Sequence, residues 1–119
     1  MSAFDFIILG GGCAGLSLAY EFDVRGVLDH KTVLVVEPRE RYQRDKTWSF
    51  WRTEPHRFDD CVVKRWEAFN VCGPAGSQHV ACAETPYETI DSGLFYETVL
   101  DRISRNPNVH FAKSYRPIA

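Results

Sequence analysis

The 119-residue sequence lacks an excess of charge of either sign. Its 14 Lys and Arg stand against 16 Asp and Glu, a formal charge of −2, and no long block of one sign occurs. A nucleic-acid footprint or a polybasic membrane patch is therefore not expected. Long hydrophobic runs are missing too: none approaches the roughly 20 apolar residues of a bilayer span. The opening MSAFDFIIL has neither the basic stretch nor the length of a secretion signal, so a cytoplasmic location is expected. Cysteine is sparse. Cys13, Cys61, Cys72 and Cys82 form no C-x-x-C pair, so no metal site is expected, and the four are read as reduced, mostly buried thiols. Repeats, low-complexity stretches and interdomain linkers are absent as well. What remains is 45% hydrophobic and 13% aromatic, enough for one globular domain with its own core.

The order of elements follows from periodicity. Phe4 to Leu9 is a short apolar run that stops at three consecutive glycines, as a buried parallel strand does. Leu16, Ala19, Tyr20 and Val24 then recur at helical spacing, and Gly26 stands where a helix ends. Thr32 to Val36, TVLVV, is a second buried strand closing at Glu37 before Pro38. Residues 4–37 thus read as one βαβ unit. Residues 39–58, polar first and aromatic later, read as a loop, and 61–84 as a β-hairpin turning at CGPAGS. Asp91 or Ser92 caps a helix with Phe95, Tyr96, Val99, Leu100 and Ile103 on one stripe, and NPN at 106–108 stops it before a third strand, giving helix and strand over 91–112. The expected fold is α/β: a Rossmann-like FAD/NAD(P)-binding βαβ unit with an inserted β-hairpin.

Gly10, Gly12 and Gly15 make G-x-G-x-x-G, a weak pattern alone. Its context strengthens it, because the pattern follows a strand, opens a helix, and precedes Glu37 by 22 residues counted from Gly15. Gly10 makes the turn, Gly12 lets the backbone approach a pyrophosphate, and Gly15 lets helix and strand pack closely. Gly11, Cys13 and Ala14 complete the cradle with backbone N–H groups, and at Cys13 that N–H matters more than the sulfur. Glu37 is placed to accept ribose hydroxyls and to repel a 2′-phosphate, which points to FAD or NAD rather than NADP. Arg39, close behind, reaches phosphate or ribose in this reading. The plainer alternative is a strand-to-helix turn with a solvated acid.

Three stretches together, FDFIILGGGCAGLSLAYEF, VLVVEPRERYQRDKTWSFW and YETIDSGLFYETVL, resemble the amino-terminal part of a lycopene cyclase of the bacterial and plant flavoprotein type. The mark is a Thr-Trp segment after the second strand, here Thr47, Trp48, Ser49, Phe50 and Trp51; many members carry His before the Thr, where this chain has Lys46. The resemblance implies FAD, used reduced with NAD(P)H as electron source. It also implies lycopene as a hydrophobic substrate that is cyclised at its ends, and peripheral association of the whole protein with the inner membrane face. Such a site must protonate an alkene, shield a carbocation and remove a proton, and aromatic faces suit the cation. Trp48, Phe50 and Trp51 are the substrate-lining candidates, with core filling under the loop as the alternative.

Only three strands in the expected order occur, where an open doubly wound sheet has about five or six, so the chain is read as an incomplete amino-terminal fragment. The family's proton-donating acid lies outside it, and the catalytic residue is unknown. EPHRFDD, with Glu54, His56, Asp59 and Asp60, reads as a solvated loop in preference to a metal or acid–base cluster. Two other functions stay open: the FAD-binding part of another flavoprotein, such as a monooxygenase or geranylgeranyl reductase, or a small non-catalytic nucleotide-binding module.

Overall fold

Phe6–Leu9 forms strand β1, and Cys13–Val24 forms helix α1 immediately after the glycine loop. The structure, a computed structural model, describes residues 3–114. Helix α1 buries Leu16 and Ala19 and ends at Arg25, where Gly26 takes a left-handed φ of 72° that a side chain would resist. Strand β2, Val33–Glu37, buries alternate residues Val33, Val35 and Glu37. It pairs in parallel with β1, Ile8 opposite Val35, and on its other side with β8, Val109–Lys113, Val35 opposite Phe111. The resulting order, β1–β2–β8, leaves β1 at an edge with Ile7 and Leu9 exposed.

The chain divides into two compact units, one made of the residues up to Tyr42 and those from Tyr96 on, the other of Gln43–Phe95. The expectation of a single domain gives way here, because the excursion between the two halves is larger than a hairpin. Its first strand is β3, Thr47–Trp51, in the segment read as a loop. Strand β3 pairs with β7, Tyr87–Asp91, which also pairs with β4, Val62–Trp66, in an antiparallel sheet ordered β3–β7–β4. A register shift between Val62 and Lys64 marks a bulge in β4. The hairpin proper is shorter than expected: β5, Ala68–Gly73, and β6, Gly76–Ala81, pair by themselves around Pro74 and Ala75. The arm of the expected 61–84 hairpin that precedes its turn is therefore two strands, β4 and β5, in two sheets.

Helix α2, Ser92–Ile103, buries Phe95, Tyr96, Val99 and Ile103 of the stripe read from the sequence, while Leu100 is only half-buried. Asp91 is the cap, its Oδ1 accepting from the Leu94 N–H at 3.0 Å. Ser92 does something else. Fully buried, its Oγ accepts from the Asp45 and Lys46 N–H groups at 3.1 and 3.0 Å and fixes the lead into β3. The cysteines are free, but only Cys61 is buried; Cys13 and Cys72 are exposed because they open a helix and end a hairpin strand. Among the described residues no helix is long and apolar enough to cross a membrane.

Ser92→Ala removes the buried acceptor of the Asp45 and Lys46 N–H groups, so it is expected to cost about 1–3 kcal/mol of unfolding free energy, read by urea denaturation.

Candidate functional site

The glycine loop shows why each glycine is there. A Cβ on Gly15 would collide with the Gly10 carbonyl oxygen and crowd Ile8, so only glycine lets α1 start this close to β1. Gly10, at φ 103°, makes the turn. At Gly10 and Gly12 a Cβ would meet nothing within 4 Å, so the loop faces open space. Gly12 caps α1 without a side chain, and the first turn carries no acid. The helix start therefore presents N–H groups and a partial positive charge with no anion of its own, the arrangement a diphosphate completes. Cys13 opens that turn. Partial burial holds its thiol above the ordinary range, against a smaller opposing effect of a hydrogen bond with Ser17, so it is a poor nucleophile.

Glu37 ends β2 beside this loop, 5% exposed, and it is already engaged. Its Oε2 accepts from Arg39 Nε at 3.0 Å and from the Tyr42 hydroxyl at 3.3 Å. The single proton of that hydroxyl is shared, its shorter bond running to the Gly11 carbonyl at 2.7 Å, and Arg39 Nη2 adds a bond to that carbonyl at 3.2 Å. Arg39 also donates to the Tyr96 hydroxyl at 3.1 Å and lies over the Tyr42 ring at 4.6 Å. Burial alone would lower the Arg39 pKa, but hydrogen bonds to Tyr96 and Glu37 and the charge of Glu37 outweigh it and hold the guanidinium above its usual value. Burial, then the charge of Glu37, pushes the Tyr42 phenol up, so it stays a donor.

The donor set fits an adenine dinucleotide in two halves. Loop and helix start suit the pyrophosphate as they stand. The ribose half fits once Tyr42 turns away, because its hydroxyl stands against Gly11 and on one of the two Glu37 oxygens that a bidentate grip on a ribose needs. Gly10, Gly11, Gly12, Cys13, Ala14, Gly15, Glu37 and Arg39 therefore gather in one place. Tyr42 and Tyr96 join them unannounced by the sequence, since nothing in a chain of rings marks which will reach a loop carbonyl.

The three aromatic candidates separate. Alternation along β3 puts Trp48 and Phe50, half-buried, on one face and Trp51, exposed, on the other. Trp48 packs edge-on to Phe95 at 5.2 Å, and Phe50 edge-on to His56 at 5.4 Å. Trp51 meets Tyr87 at 4.7 Å.

EPHRFDD is partly solvated, with Glu54, Asp59 and Asp60 exposed, but His56 is half-buried. The Phe58 N–H donates to its Nδ1 at 3.0 Å, which leaves Nε2 to donate to Glu88 Oε1 at 3.1 Å. Arg52 Nη1 bonds both oxygens of Glu88, at 3.2 and 3.3 Å, and Asp59 at 2.6 Å. The Arg52 hydrogen bond holds Asp59 below the usual carboxylate range. Glu88, 1% exposed, is thus a buried carboxylate neutralised by its neighbours. Among the described residues no group of His, Cys, Asp and Glu is placed to hold a metal.

The fold is one that FAD-dependent enzymes share. PqsL, a probable FAD-dependent monooxygenase from Pseudomonas aeruginosa, superposes with a TM-score of 0.68 at 16% identity over 98% of this chain and 34% of its own. PqsL in complex with 2-aminobenzoylacetate gives 0.70 at 17%, over 98% and 35%. The myxobacterial chondrochloren halogenase CndH, an FAD-dependent halogenase, gives 0.56 at 15%, over 97% and 29%. At such identities the likeness is one of fold, and the chain spans about a third of the length of these solved chains. No curated protein matches it. The chain belongs to the lycopene cyclase family, whose model, described as lycopene cyclase protein, matches residues 5–115.

With ADP as probe in calorimetry, Gly12→Val is expected to abolish binding by filling the open face of the loop. Tyr42→Phe is expected to tighten binding about threefold to tenfold by removing the competing hydroxyl, a change within the worth of one hydrogen bond. Unchanged affinity in both variants would remove the loop from nucleotide binding.

Proposed function

We propose that this chain is the dinucleotide-binding part of an FAD-dependent lycopene cyclase, which converts linear lycopene to cyclic carotene in carotenoid biosynthesis. One observation carries the reading: an open glycine loop at an uncapped helix start, beside a strand ending in a buried acid, in a chain of the lycopene cyclase family. Bound FAD, in reduced form and supplied with electrons from NAD(P)H, gives the site its electron-rich partner for an isomerisation that is redox-neutral overall. The chain's own contribution is binding. Amides of Gly12, Cys13 and Ala14 hold the pyrophosphate at the positive end of α1. Glu37 accepts the ribose hydroxyls, and Arg39, kept cationic by Tyr96 and Glu37, balances the charge beside it. Of the three aromatic candidates Trp51 has the ring most open to substrate, while Trp48 and Phe50 pack on the other face of β3. Lycopene is a bilayer solute, so the protein is proposed to work from the cytoplasm at the inner membrane face.

The fold neighbours favour a second reading, the FAD-binding part of a flavin monooxygenase. Carotenoid profiles separate the two. In a lycopene-accumulating bacterial host, a reading frame containing this chain is expected to yield cyclic carotenes, and Glu37→Ala in that frame to lower both flavin content and product about tenfold or more, as loss of a charged hydrogen-bond acceptor does. Lycopene left unchanged by a well-expressed, flavin-loaded protein would favour the monooxygenase reading instead.

A further inference from the structure

Arg52 and Arg65 line one cavity of about 450 Å³ in the unit Gln43–Phe95, together with Asp59, Val62 and Glu88. The antiparallel register gathers them. Arg65 of β4 lies opposite Glu88 of β7, so the two share a face of the sheet. Arg52 follows the last residue of β3, and its Nη1 reaches both Glu88 and Asp59. That one nitrogen serves three carboxylate oxygens with two hydrogens, and Asp59, at 2.6 Å, takes the shortest bond. The other donors are unused. Among the described residues neither Nε nor Nη2 of Arg52 has an acceptor, and Arg65 makes no hydrogen bond or ion pair. Asp59 is the carboxylate that the cavity already holds. Its side chain is 62% exposed, and the Arg52 hydrogen bond, helped by the charges of Arg52 and Arg65 against a smaller effect of desolvation, keeps it below the usual carboxylate range.

We infer that this cavity is a binding site for a small monocarboxylate, with Arg52 and Arg65 as its two guanidinium forks and Asp59 as the internal carboxylate that the ligand displaces. Charge sets the class. With Asp59 turned out to water, the two guanidiniums stand against the buried Glu88 alone and leave one positive charge, which a monoanion cancels. A phosphate dianion would bring surplus negative charge beside Glu88, and a cation would be repelled by both arginines. Geometry agrees with charge. Nε and Nη2 share one edge of the Arg52 guanidinium, the edge that bonds a carboxylate through two parallel hydrogen bonds. Glu88 loses nothing in the exchange, because Nη1 then has two hydrogens for the two Glu88 oxygens, and His56 Nε2 still donates to Oε1. Val62, the apolar residue of the lining, suits a short hydrocarbon part. None of these residues belongs to the nucleotide site, so the inference stands apart from the cyclase reading.

The test titrates benzoate, a planar monocarboxylate, into the isotope-labelled 119-residue chain and follows the arginine Nε–H signals by NMR. Saturable shifts of the Arg52 and Arg65 signals are expected, with a dissociation constant of about 1 mM, the scale of two charged hydrogen-bonding partners at a site open to water. Arg65→Gln is expected to weaken binding about tenfold, and Arg65→Lys, which keeps the charge but loses the fork, about threefold. Asp59→Asn should tighten binding about threefold to tenfold by weakening the internal competitor, while Asp60→Asn, the same change of charge one residue along, leaves it unchanged. Arg65, Asp59 and Asp60 are all exposed, so these variants keep the fold, whereas an Arg52 variant would strip the buried Glu88 of its cation. Benzoate that shifts neither arginine signal overturns the inference, as does equal affinity in Arg65→Gln and the parent chain. So does an Asp59→Asn variant that binds no more tightly than Asp60→Asn. Inorganic phosphate binding more tightly than benzoate overturns the monocarboxylate class.

Discussion

The approach of Gly15 to the Gly10 carbonyl is the constraint on which the nucleotide unit depends. With any side chain at Gly15, α1 would have to back away from β1 and the loop between them would open. The helix start would then no longer stand beside the end of β2, and Glu37 and the loop would cease to belong to one site. A void in one residue thus sets the position of a partial positive charge and of a carboxylate at once. Everything else at this site refines that placement: Arg39 and Tyr42 bridge acid and loop, and Tyr96 anchors the guanidinium.

The second unit rests on different physics. Its strands are short, and its buried polar groups are few but fully engaged, Glu88 by Arg52 and His56, Ser92 by two backbone amides. Partners of this kind fix register because a one-residue slip would bury an unpaired charge. Register in turn decides which rings are shared. The same alternation that hides Trp48 and Phe50 brings Trp51 into line with Tyr87 and Trp66.

Strand β3 was legible in principle. Thr47–Trp51 alternates with period two, but the polar run before it draws the eye to a loop, and its pairing partner β7 is disguised. Glu88 and Ile90 are the buried residues of β7, and a glutamate at an inward position reads as outward until Arg52 and His56 are known to meet it. The hairpin was visible through its turn residues, yet its boundaries were not, since nothing local says that Val62–Trp66 leaves for another sheet. Likewise Tyr42 carries no signal of its own as one ring among many.

By itself the sequence determined the βαβ unit, the nucleotide-type loop and the acid after it, because glycine spacing, helical period and a β-branched run are local properties of the chain. Tertiary structure alone decided that Tyr42 covers Glu37, that Glu88 is buried, and that Trp51 parts company with Trp48 and Phe50. Those outcomes depend on register and on partners distant in sequence, and a side chain's neighbours across a sheet are not encoded in the residues next to it.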